Sequence, residues 1–193
     1  MPFEYNPFTR KLDLFYTSPH GTFYVDAAGM IPCTTSGALQ GTHEYSTNNI
    51  DIDYFAFGAG ITKERVQFTR VMPENWDKGT IKVKIHWSSD TGSTTGDTVE
   101  WGIKVAAGGD NDIIDVSLGS PQVISDTLLA DNGTKRQISD ATPAIVVGGS
   151  PVIGDEIQFE IYRNTDGTDD MAEDAFLFGI VIQYRKYGTV AAW

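Results

Sequence analysis

Three runs in this chain alternate apolar and polar residues without a break, and they decide what it can fold into. In "TIKVKIHW", Ile81, Val83, Ile85 and Trp87 take one face, and Lys82, Lys84 and His86 take the other. "TVEWGIKV" repeats the pattern, with Val99, Trp101, Ile103 and Val105 inward and Glu100 and Lys104 outward. "EIQFEIYR" sets Ile157, Phe159 and Ile161 against Gln158, Glu160 and Tyr162. A period of two marks antiparallel strands with one buried and one solvated face. "VQFTRV" and "IDIDYFAF" supply earlier strands, and no segment carries the 3.6-residue period of an amphipathic helix.

Turn chemistry separates these runs. "SSDTGSTTGD", "AAGGDND", "VGGSPVIGD" and "NTDGTDD" are rich in Gly, Asp and Ser, and Asn132-Gly133 is a two-residue hairpin signal. "MPENWDKGT" reads as a corner in which Pro73 ends one strand and Gly79 starts the next. The expected fold is all-β: an antiparallel β-sandwich, jelly-roll-like, with an extended N-terminal arm. At 193 residues, one domain suffices. The expected division is an arm over residues 1–18, a single sandwich over 19–187 and a tail over 188–193.

A net charge of −12 argues against a nucleic-acid backbone or an anionic membrane surface as partner, since both call for surplus Lys and Arg. Cys33 is the only cysteine, so no intrachain disulfide forms, and its thiol reads as a small buried hydrophobe. The start of the chain lacks the basic and apolar regions of a signal peptide, and no apolar run reaches ~20 residues. The expectation is a protein made in a cytoplasm.

Candidate chemistry is sparse. Asp110 and Asp112 in "GGDNDIID", and Asp166 and Asp169 in "NTDGTDD", are weak calcium candidates. They are clustered oxygen ligands on Gly-bearing loops, but neither loop has the order of an EF-hand. No other metal and no cofactor is expected. Glu100, Glu156 and Glu160 occupy outward strand positions, where solvation rather than glycoside hydrolysis is the expected role. The three histidines, His20, His43 and His86, accompany no G-x-S-x-G serine. Trp87 and Trp101 read as core, and Trp76 and Tyr162 as exposed aromatic platforms able to stack on a sugar. Arg163 ends a strand before the acidic loop. Asp170 and Asp174 are its expected carboxylate partners across the hairpin mouth. In "AFLFGIVIQY" both faces are apolar, Phe176, Phe178, Ile180 and Ile182 on one and Leu177 and Val181 on the other. Such a strand lies mid-sheet or is covered by a neighbouring subunit.

The opening "PFEYNPFTRKLDLF" resembles a strip that heads many tailed-bacteriophage virion proteins. Phe3, Tyr5, Asn6, Pro7, Phe8, Thr9, Lys11, Leu12 and Asp13 match, and Arg10 stands where a glycine is usual. "VMPENWDKGTIKVKIHW", "TVEWGIKV" and "GDEIQFEIYRNTDGTDDMAEDAFLFGIVIQY" are similar to β-sandwich phage structural proteins. The resemblance implies a non-enzymatic virion component, made in the bacterial host cytoplasm and commonly trimeric. The component so implied would be a capsid cement or decoration protein on the major capsid protein or, alternatively, a tail-fibre or baseplate appendage that could bind a host surface glycan. Phe3, Tyr5, Pro7, Phe8 and Leu12 would then be the docking residues. Phe176, Phe178, Ile180, Tyr187 and Trp193 would form the subunit contact.

Overall fold

The structure is a computed structural model that describes residues 19–60, 62–130 and 135–187, together with the backbone of 3–6 and 11–14. Among the described residues thirteen strands follow one another: β1 (Phe3–Asn6), β2 (Lys11–Leu14), β3 (His20–Asp26), β4 (Ile31–Pro32), β5 (Leu39–Tyr45), β6 (Ile50–Phe57) and β7 (Arg65–Val71). The longer β8 (Trp76–Ser89) and β9 (Thr98–Gly108) come next, then β10 (Gln122–Thr127), β11 (Gln137–Ile138), β12 (Glu156–Arg163) and β13 (Ala175–Lys186). Among the described residues there is no α-helix, only a 3₁₀ turn at Ala27–Gly29 capped by the Asp26 carboxylate. The expected Asn132-Gly133 turn lies outside the described residues.

The protein is an all-β, jelly-roll-like sandwich of two antiparallel sheets. One sheet runs β10-β9-β12-β7-β4, and the other runs β11-β8-β13-β6-β5, with β3 pairing β13 beside β6. Every strand expected from alternation is present, and the inward residues are those the period selects. Ile81, Val83, Ile85 and Trp87 from β8 face Trp101, Ile103, Phe159 and Ile161 from the other sheet, all at 0–1% exposure. Phe68 and Phe159 stack at 4.6 Å, and Trp101 meets Phe57 edge-on at 5.3 Å. Burying each such side chain contributes about 1.5–3 kcal/mol, so this layer is what holds the sheets together. A polar staple crosses it as well: the Trp87 indole N–H donates to Asp126 on β10 at 2.7 Å.

Two local expectations change. The Pro73 corner exists, with Trp76 N–H donating to the Pro73 carbonyl, but β8 already starts at Trp76. Lys78, at φ 60°, and the Asp77 carboxylate, accepting from Gly79 N–H, let the strand continue through an irregularity. In β13 a register shift lies between Leu177 and Gly179. The extra residue, Phe178, reverses the parity. Ala175 and Leu177 point inward before it, Ile180, Ile182 and Tyr184 after it.

Candidate functional site

The described residues of the N-terminal strip form a two-stranded ribbon. β1 and β2 pair antiparallel, Phe3 with Leu14 and Tyr5 with Leu12, and this two-stranded ladder belongs to neither sandwich sheet. Directly paired positions share a face. Positions 3, 5, 12 and 14 therefore make one face of the ribbon, and positions 4, 6, 11 and 13, which hold Glu, Asn, Lys and Asp, make the other. Two of the expected docking residues, Pro7 and Phe8, lie outside the described residues.

The expected subunit contact is redistributed by the bulge. Phe178 and Ile180 are buried within their own sandwich, at 4% and 0% exposure, and offer nothing to a neighbour. Phe176 stays on the outer side of the six-stranded sheet, half-buried against Tyr54 at 4.4 Å. Tyr187 is exposed, and Trp193 lies outside the described residues.

Arg163 is held by carboxylate as expected, but by Asp169 rather than by Asp170 or Asp174. Its Nε and Nη2 donate to both Asp169 oxygens, at 2.8 and 2.7 Å. Its remaining donors reach the carbonyls of Phe57, Glu173 and Met171. Asp170 instead accepts from Thr98 N–H, while the Asp174 carbonyl accepts from Asp90 N–H. The ion pair is buried from end to end and ties the loop before β13 to β6 and β12.

That pairing also removes Asp169 as a calcium ligand. Asp166 is 2.7 Å from Lys63 Nζ, and Asp112 accepts from Gly109 N–H at 2.8 Å while Asp110 is exposed. Among the described residues no group of three His, Cys, Asp or Glu side chains is arranged to hold a metal ion. Burial raises the pKa of the Cys33 thiol, which disfavours the reactive thiolate.

Glu100 and Glu160 were expected in water and are buried, at 8% and 3% exposure. Alternation places them correctly on the outer face of the five-stranded sheet, but neighbours cover that face. Glu160 lies 3.0 Å from Lys104 and 3.7 Å from Arg65, and it accepts from Gln67. Glu100 accepts from Asn164, Ser125 and Thr168 beneath the 164–168 loop. Tyr162, expected as an open platform, lies across Gly102, where a Cβ would run into its ring. Lys63 and Lys104 stand over the ring at 5.6 and 5.3 Å. Trp76 is buried too, its indole N–H without an acceptor among the described residues. At the far end of this sheet a cavity of about 260 Å³ opens between Thr69, Glu156 and Gln158 and the exposed Ile113 and Ile114.

The outer face of the six-stranded sheet is where rings collect. His43 and Tyr45 meet edge-on at 4.6 Å, Tyr54 and Phe176 tilt together at 4.4 Å, and Tyr24 meets His86 at 5.3 Å. A cavity of about 220 Å³ lies between Tyr45, Ile50, Ile52, Lys135 and Arg136. The wet face of β8 is legible in its alternation, but the rings beside it are not, because no spacing within one strand reveals what its neighbours contribute.

Burial, and then the Arg136 and Lys84 cations, hold the His86 pKa below the ordinary imidazole value of 6.5. The unfolded chain therefore binds this proton more tightly than the folded one. Its contribution is constant above about pH 6.5, and stability falls as pH drops below that value. In His86→Gln the melting temperature is expected to decline less steeply than in the parent between about pH 7 and pH 5. Parallel curves for the two proteins would remove His86 from the acid response.

No protein-family model matches this chain, and no curated protein matches it. Solved structures share its general fold at low identity. The CBM22-1–GH10 modules of a Clostridium thermocellum xylanase 10B, complexed with xylohexaose, are 15% identical over 90% of this chain and 29% of that one, with a TM-score of 0.48. The chain thus spans under a third of the xylanase chain. A CBM28 carbohydrate-binding module specific for non-crystalline cellulose is 11% identical over 83% of this chain and 89% of that one, at a TM-score of 0.46. A chain of the infectious bursal disease virus Gx strain is 11% identical, covering 95% of this chain and 37% of that one, at 0.37.

Proposed function

We propose that this chain is a non-enzymatic bacteriophage virion structural protein that docks on the particle through its N-terminal hairpin and displays the sandwich outward. The observation that carries the reading is the β1–β2 ladder, which pairs with neither sheet and sets its apolar positions on one face. A lone two-stranded ribbon is marginal in water and gains stability when its apolar face is covered. The likeness of "PFEYNPFTRKLDLF" to the strip of tailed-phage virion proteins supplies the partner, another virion protein. The reading takes the chain as a trimeric capsid cement protein, with the exposed Tyr187 and half-buried Phe176 left to meet a neighbouring copy.

Deleting residues 1–15 is expected to leave a soluble sandwich with the parent's melting temperature that no longer joins particles assembled in its presence. A Phe3→Asp/Tyr5→Asp double variant makes the same test without shortening the chain. Normal incorporation of both proteins would overturn the reading. The copy number per particle then assigns the site: a value matching the capsid lattice means the head, one matching the tail symmetry means a tail-fibre or baseplate appendage.

A further inference from the structure

The outer face of the six-stranded sheet combines two features. First, two of its tyrosines lie flat on the sheet. Tyr24 covers Gly179, where a Cβ would collide with the ring, and its hydroxyl donates to the Phe178 carbonyl at 3.0 Å. Tyr54 covers Gly41 in the same way, a Cβ there falling 2.7 Å from the ring. A ring lying over glycine turns one π face to the backbone; Tyr24 remains 44% exposed, while Tyr54 is half-buried with Phe176 tilted against it at 4.4 Å.

Second, in a chain of net charge −12 this face is basic. Lys82 and Lys84 point outward from β8, and the exposed Arg136 and Lys135 line a cavity with Tyr45, Ile50 and Ile52. The register turns Asp51, Asp53 and Glu44 of the β5–β6 hairpin to the reverse side. Asp26, which caps the 3₁₀ turn, is the acid that shares the face and stands beside Tyr24. Arg185 is partnered by Asp77 at 3.6 Å.

We propose that this face binds an anionic glycan, with a pyranose ring on Tyr24 beside the Tyr54–Phe176 pair and its carboxylates at Arg136 and Lys84. The axial C–H groups of a pyranose carry partial positive charge and meet the negative face of an aromatic ring, while guanidinium and ammonium groups take the carboxylates. Charge density selects the glycan over a nucleic acid. A duplex carries one charge per about 1.7 Å and would feel the whole molecule's repulsion. A glycan with at most one carboxylate per sugar is governed by the local cations within a Debye length of about 8 Å. The surface shares no described residue with the N-terminal hairpin, so docking and glycan binding fail separately, whereas the Phe176 contact between copies packs on Tyr54 at 4.4 Å and competes with the glycan for this face.

The test is calorimetric titration of the full chain with oligogalacturonate and hyaluronan hexasaccharide, against neutral maltohexaose and a single-stranded oligothymidylate. Both uronates are expected to bind, with maltohexaose and oligothymidylate at least about tenfold weaker. Arg136→Glu, at an exposed position, and Tyr24→Ala are each expected to weaken uronate binding by about tenfold or more. Absence of uronate binding, equal binding of oligothymidylate, or unchanged affinity in Arg136→Glu would each overturn the proposal. So would self-association of the chain that Arg136→Glu abolishes, which would make the face a contact between copies.

Discussion

Arg163→Met is expected to lower the unfolding free energy by about 3–5 kcal/mol, read as a shift of the urea midpoint at unchanged slope. The arginine is fully buried and supplies both hydrogen bonds to Asp169 and one to each of three main-chain carbonyls. Methionine fills much of the space but leaves Asp169 without its counter-ion, its side chain only 3% exposed. A second oxygen contact of Asp169, from Glu100 N–H at 3.0 Å, cannot neutralise it. Breaking one side of a buried pair is costly because the surviving charge keeps its desolvation penalty. The double variant Arg163→Met/Asp169→Leu removes both charges and is expected to recover part of the loss. A double variant no more stable than the single one would mean that the carbonyl bonds, not the ion pair, carry the effect. With total stabilities of about 5–15 kcal/mol for natural domains, the single change takes a large share.

Trp101→Ala is expected to cost a similar amount, about 3–5 kcal/mol, for a different reason. Trp101 has no exposure and fills the space between sheets, edge-on to Phe57 and 6.4 Å from Trp87. Its truncation leaves a void that two hydrogen-bonded sheets cannot close, so both the transfer energy and the cavity term are lost. Trp101→Phe, which keeps a ring and removes an indole N–H that finds no acceptor among the described residues, is expected to lose much less. Equal losses for Phe and Ala would show that the indole itself, rather than filled volume, is what the core requires.

These two residues also divide what could be read early from what could not. Trp101 was legible as core because its strand alternates, and a period of two assigns a face without knowledge of the partner strand. Arg163 was legible as a paired arginine, but its partner was not. Asp169, Asp170 and Asp174 all lie in the short connection to β13, and only the path of that connection selects Asp169. The bulge at Phe178 had a visible signal, the glycine inside "AFLFGIVIQY", since glycine within a strand marks bulges. Read as an unbroken strand, the segment put Phe178 and Ile180 on one outward face. Counting the extra residue puts Ile180 in the core.

Glu100, Glu160 and Tyr162 fail for another reason. Alternation says which side of a sheet a residue faces, not whether that side is wet. The 164–168 loop over Glu100, and Lys104 and Arg65 beside Glu160, close the outer face locally. The ring-bearing face of the other sheet arises likewise from β3, β5, β6, β8 and β13, which are distant in the chain. The amino-acid sequence by itself determined the strands, their inward residues and the two-layer class, because these follow from a repeat of two read locally. Tertiary structure alone decided which outward residues are covered, which acid holds Arg163 and which rings gather on one face. Those outcomes depend on neighbours brought in by strand order, and strand order is set by long-range pairing that no local period encodes.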